Sequence, residues 1–108
     1  MKIYELLIAM VKAVAALAKK VQRYDADLAR QMKRASCSVV LNAVEGWHSY
    51  SGNRVVRFHS AMASARETVA CLDISVACGY LREAEVSVEL DRLDHIVAVM
   101  WRLSKTRK

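Results

Sequence analysis

Apolar residues recur in alternating steps of four and three along most of the chain, with few breakers: there is no proline and there are only 3 glycines. On an α-helix that spacing puts one apolar side chain per turn on a single stripe, the seam along which helices pack. The first stripe is Ile3, Leu7, Met10, Val14, Leu17 and Val21. Lys12, Lys19 and Arg23 fall on the opposite, solvated face. The second is Leu28, Met32, Ala35 and Val39, and it then runs into Asn42 and Gly46. The third is Val55, Phe58, Met62, Ala65, Val69, Leu72 and Val76, and the fourth is Val86, Leu90, Leu93, Val97 and Met100.

The boundaries between the stripes carry helix-end signals. Asp25 or Asp27 is suited to cap the second helix, and Ser51 or Asn53 in the turn SYSGN to cap the third. Gly79 reads as a helix stop. Early acids (Glu83, Glu85, Glu89) and late bases (Arg102, Lys105) suit the dipole of the fourth helix. The expected helices span about 2–23, 27–47, 53–79 and 82–104. The short linkers between them permit only an antiparallel, up-down-up-down four-helix bundle. A chain of 108 residues makes this one all-α domain over 1–108, long enough to bury a core.

Three cysteines, Cys37, Cys71 and Cys78, show no paired spacing. They are expected to be small buried hydrophobes in a reducing cytoplasm rather than disulfide partners. The run MKIYELLIAMVKAVAALAKK superficially resembles a signal peptide, but Glu5 and Lys12 interrupt it and no segment is apolar enough to span a bilayer.

The chain shows no catalytic constellation. His48, His59 and His95 form no HxxH or HxxxH pair, no CxxC occurs, and phosphate-loop and nucleotide fingerprints are missing. No catalytic residue, cofactor or metal is expected, and an enzyme is the least supported class.

Charge is more informative. Net charge is +6, from 17 Lys and Arg against 11 Asp and Glu. Antiparallel topology gathers the start of helix one, the end of helix two, the start of helix three and the end of helix four at one pole. Lys2, Arg54, Arg57, Arg102, Lys105, Arg107 and Lys108 collect there, with Trp47, His48 and Tyr50 in the adjoining loop. Bases mixed with aromatics grip single-stranded nucleic acid by phosphate contact and stacking. The alternative is that Trp47 packs under its loop and the charges are merely solvated.

A second polar set lies where the seam of helix two is interrupted. Arg34, Ser38, Leu41 and Glu45 are nearly in line, and Asn42 stands on the seam itself. Crossed pairs Arg57–Glu45 and Arg34–Glu67 are geometrically possible across the hairpin of helices two and three. Arg34, Asn42, Glu45 and Glu67 read as a device that aligns the bundle rather than as a ligand site.

The segments DLARQMKRASCSVVLNAVEG and SGNRVVRFHSAMASARETVACLDISVACGYL resemble the bacterial four-helix proteins encoded in 23S rRNA intervening sequences. The matching residues are Arg34, Ala35, Ser38, Asn42, Glu45 and Gly46, then Phe58, Ala61, Ser64, Glu67, Gly79 and Tyr80. Lys33 departs from the usual first Arg, and Val44 from the usual Ile or Ala. That family is similar to the accessory variability proteins of diversity-generating retroelements. The resemblance implies a ring-shaped homo-oligomer, a homopentamer, that binds RNA or DNA and works with a reverse transcriptase or ribosomal RNA. The competing expectation is an oligomeric protein-interaction scaffold with no nucleic-acid role.

Overall fold

The structure, a computed structural model, describes residues 2–105. Among these the only regular elements are four helices: α1 (Lys2–Val21), α2 (Ala26–Trp47), α3 (Ser51–Ala77) and α4 (Glu83–Ser104). Residues 22–25, 48–50 and 78–82 connect them. Such connections are far shorter than a helix of about 30 Å, so each helix must run back along its predecessor. Contacts at both ends agree. Lys20 at the end of α1 meets Glu85 at the start of α4 at 2.7 Å, and Tyr24 stacks on Tyr80 at 5.3 Å. At the other pole Arg54 reaches back to Gly46, and His59 of α3 meets Trp101 of α4. The result is an elongated body of 44 × 22 × 20 Å in which α1–α2, α2–α3, α3–α4 and α1–α4 are the packed neighbours.

The seam of α1 is buried almost as its spacing demands: Leu7, Met10, Val14, Leu17 and Val21 are all in the core. Met32, Ala35 and Val39 of α2, Phe58, Met62, Ala65 and Leu72 of α3, and Val86, Leu93 and Met100 of α4 join them. Six expected seam residues, Ile3, Leu28, Val69, Val76, Leu90 and Val97, are only half-buried, and Val55 is exposed. On α3 the inward stripe is rotated, so that Arg54, Ala61, Thr68, Cys71 and Ser75 are buried instead. Thr68 and Ser75 tolerate this because each hydroxyl donates to the carbonyl four residues back, Ser64 and Cys71 respectively, at 2.8 Å.

The helix ends follow local chemistry with one exception. Asp25, not Asp27, caps α2, its carboxylate accepting from Leu28 N at 3.0 Å. Gly79 adopts φ +77°, and the amides of Tyr80 and Gly79 close on the carbonyls of Ser75 and Val76 at 2.8 and 2.9 Å. This paired closure satisfies the last carbonyls of α3 and requires a residue at ease in the left-handed region. Glu85 folds back onto Arg82 N at 2.9 Å and closes the first turn of α4. The exception is α3, whose cap position is Tyr50 and carries no side-chain cap; neither Ser51 nor Asn53 serves.

The expectation of three buried cysteines holds only for Cys71, while Cys37 and Cys78 are exposed thiols. Burial raises the pKa of Cys71 above that of a free thiol, and the charge of Glu67 adds to this. No described helix is long and apolar enough to cross a membrane.

Candidate nucleic-acid interface

Gly46 sets the geometry of the basic pole. It does not stop α2, which continues to Trp47. A side chain there would stand 2.9 Å from Cε1 of Phe58, so the bare backbone lets the fully buried Phe58 ring lie against α2. Trp47 then meets that ring edge-on at 6.3 Å and is half-buried. It is part of the packing beneath the loop, with only some of its surface outward.

Arg54 lies over the same ring at 4.9 Å and is only 6% exposed. Its Nη1 donates to the carbonyl of Gly46 at 3.1 Å, near the negative end of the α2 dipole, while its buried Nε has no partner. Arg54 therefore leaves the solvent-facing basic set: it holds the α2–α3 turn to the core. The rotation of the α3 stripe, which buries Arg54 and exposes Val55, is the reason.

Arg57 is exposed but engaged. Its guanidinium pairs with Glu45 at 2.9 Å and donates to Asn42 Oδ1 at 3.4 Å. Asn42 in turn donates to the carbonyl and hydroxyl of Ser38 at 3.0 and 3.1 Å, and Ser64 donates to the Ser38 hydroxyl at 2.8 Å. A continuous polar chain, Glu45–Arg57–Asn42–Ser38–Ser64, thus stitches α2 to α3 on their outer edge. The other expected pair does not form: Arg34 and Glu67 make no ion pair, and they line an open polar groove of about 470 Å³ with Gln31, Ala35, Ser38 and Ser64. Both side chains are exposed there.

The outer residues of the pole are Lys2, His48, Tyr50, Arg102 and Lys105, all exposed. Arg107 and Lys108 lie outside the described residues. The residue that sequence reasoning passed over is Trp101. It is 48% exposed, Lys105 sits over its ring at 4.1 Å, and His59 meets its edge at 6.0 Å. The signal was available: Trp101 and Lys105 are four apart on a helix and so share a face. Trp101 is off the apolar seam and next to Met100, which hid it. Together, α3 and α4 present an aromatic face with a cation on it, and the exposed Tyr50 at 67% and the α2 cap residue His48 lie in the turn at the same end of the bundle. Among the described residues no group of His, Cys, Asp and Glu is arranged to hold a metal ion.

The model of the 23S rRNA-intervening sequence protein family matches residues 1–102. The chain is a member of that family. Among solved structures, it is similar to a crystal structure at 1.70 Å of a protein of unknown function from the S23 ribosomal protein family of Bacteroides thetaiotaomicron. The TM-score is 0.87 at 16% identity, over 96% of this chain and 99% of that one. At that identity the likeness establishes the shared four-helix fold. No curated protein matches the chain. Neither the family's description nor that of its solved relative names a reaction.

Proposed function

We propose that this intervening-sequence family member is a non-enzymatic accessory protein that binds single-stranded segments of RNA through its basic pole, in the cytoplasm. The observation that carries this reading is Trp101, half exposed with Lys105 on its face. A stacking surface and a cation within one helical turn are what an unpaired base and its phosphate need. Tyr50, His48, Lys2 and Arg102 supply further aromatic area and positive charge at the same end. The name of the family ties its members to ribosomal RNA, which supports RNA as the polymer. A reverse transcriptase or ribosomal RNA is the proposed working partner. The chain is proposed to act as a ring-shaped homo-oligomer, a homopentamer.

The test is fluorescence anisotropy with a labelled single-stranded RNA at low salt. Binding is expected to weaken as salt rises, with a log–log slope of about −2 to −3 if three to four phosphates are neutralised. Trp101→Ala is expected to weaken it about tenfold, since base stacking contributes about 1–3 kcal/mol. Absence of binding at low salt, or binding indifferent to salt, overturns the reading. A second reading, an oligomeric scaffold with no nucleic-acid role, is favoured by one observation: the half-buried apolar residues between α3 and α4.

A further inference from the structure

The helix–helix grooves differ in chemistry. The α2–α3 groove is polar and stitched by hydrogen bonds around Ser38 and Ser64, and nearer Asp25 it opens over Leu28, Ala70 and Ile74. The α3–α4 groove has an apolar floor of Val69, Val76, Leu90 and Val97, four of the six seam residues that the bundle covers only in part. It consists of two adjoining hollows, about 370 and 400 Å³, that share Asp73 and Leu90. Its rim carries three acids, Asp73, Glu83 and Asp94, and one base, Arg66, all exposed and none in an ion pair within the bundle, so it is acidic on balance. Glu83 and Asp94 are eleven residues apart, three turns along one face of α4, so the acidic edge is about 16 Å long.

This rim is negative on a chain whose net charge is +6. It repels a phosphate backbone, and it matches a helix with an apolar stripe bordered by lysines. The chain itself carries such a helix face. On the outer side of α1, Tyr4, Ile8, Val11 and Ala15 follow steps of four, three and four, and Tyr4 and Ile8 are 44% and 36% exposed. Lys12 and Lys19 border that stripe on one side, about 10 Å apart along the axis, exposed and without an ion pair, with Glu5 one heptad before Lys12 on the same edge. Within one chain α1 packs against α2 and α4, so its outer face cannot reach the groove of its own bundle.

We infer that the α3–α4 groove takes the outer face of α1 from a second copy of this chain. The contact is heterologous, groove to helix, so each copy offers one groove and one helix face. Contacts of that kind close into rings when the rotation between copies permits. The inference rests on the proposed ring and names its interface. It also explains why α3 and α4 keep half-covered valines and a leucine: these residues complete their burial against a neighbour.

Light scattering on the intact chain tests it. Wild type is expected at a multiple of the 12.1 kDa protomer. Lys12→Glu with Lys19→Glu is expected to fall to the protomer mass, as is Asp73→Lys with Asp94→Lys. All four substitutions in one chain restore the attraction with its sign reversed, and the assembly should return. These positions are exposed, and circular dichroism checks that each variant keeps its helices. A wild-type mass of one protomer overturns the ring and the interface together. A multimer that survives both double substitutions overturns the interface alone and leaves the ring on another face. Loss in both without recovery in the combination overturns the pairing of this helix with this groove.

Discussion

At Gly46, two opposed effects of one methyl group can be weighed. Glycine inside a helix costs about 1 kcal/mol relative to alanine, so Gly46→Ala gains that much in helix propensity. Against it, the new Cβ would stand 2.9 Å from the Phe58 ring, which is completely buried between Arg54 and Trp47. Overpacking a filled core costs about 1–3 kcal/mol. The clash should win, leaving Gly46→Ala about 1 kcal/mol less stable in urea denaturation. Phe58→Leu combined with it should recover part of that loss, because the smaller side chain vacates the contact. If Gly46→Ala is stabilising, the ring moves freely and the glycine has no packing role. Arg57 and Glu45 illustrate the other extreme. Both are about half exposed, at 47% and 58% of the side chain, so solvent screens their 2.9 Å contact. A double-mutant cycle should give a coupling of about 0.2–1 kcal/mol, and zero coupling would remove Glu45 from the polar stitch.

On α4, two carboxylates are shifted in opposite directions. Glu85 is lowered to about 2, first by the hydrogen bond from Lys20 and then by the amide of Arg82. Its depressed folded-state pKa contributes stability that is present above its unfolded value near 4.3 and is lost as pH falls towards 2. Glu89 is raised, because burial disfavours its charge more than Arg92 at 2.8 Å supports it. One of its oxygens, Oε2, is buried without a partner. Its sign is reversed: the folded state holds the proton more tightly, so stability falls as pH rises from the unfolded pKa through the folded one. Thermal melts across pH should separate the two. Glu85→Gln should lower Tm at neutral pH and converge on wild type near pH 2. Glu89→Gln should raise Tm at neutral pH and converge on wild type in acid. Equal profiles for Glu89→Gln and wild type would mean that the buried carboxylate finds a partner when ionised. The element scale is also where sequence legibility ends. The four stripes and Gly79 announced the helices, because spacing and left-handed geometry are local properties. The rotation of α3 was not legible: it buries Arg54 and Ser75 in place of Val55, and that choice is made by the neighbours α2 and α4. Nor could spacing reveal that Val69, Val76, Leu90 and Val97 floor an open groove, since a seam residue reads the same whether it is covered by its own bundle or by another copy.

For the molecule as a whole, topology decides where charge acts. The poles of the 44 Å body are about a helix length apart, roughly 30 Å, or several Debye lengths at physiological salt. Charges at the far pole are therefore screened from a ligand at the other, and net charge alone predicts little about binding. The pole of Trp101 and Lys105 holds Lys2, His48 and Arg102 beside the acids Glu5 and Glu45, whereas the opposite pole mixes Lys19, Lys20, Arg23, Arg30 and Arg82 with Asp25, Asp27, Glu83 and Glu85. The pole itself was legible from antiparallel connection; the spacing of Trp101 and Lys105 was legible too, but the contact of Trp101 with His59 of α3 was not, because it is made only when α3 and α4 are packed. A pair of variants with identical net charge isolates the effect. Arg102→Glu with Lys105→Glu reverses two charges at the proposed RNA-binding pole, and Arg23→Glu with Arg30→Glu reverses two at the other. If phosphates dock where Trp101 is, the first pair should lose affinity for single-stranded RNA by at least tenfold at 0.15 M salt and show a flatter salt dependence by about 0.7 per contact removed. The second pair should bind within twofold of wild type, because the reversed charges lie beyond the screening distance. Equal losses in the two pairs would mean that the chain attracts RNA through its overall charge, with no docking pole.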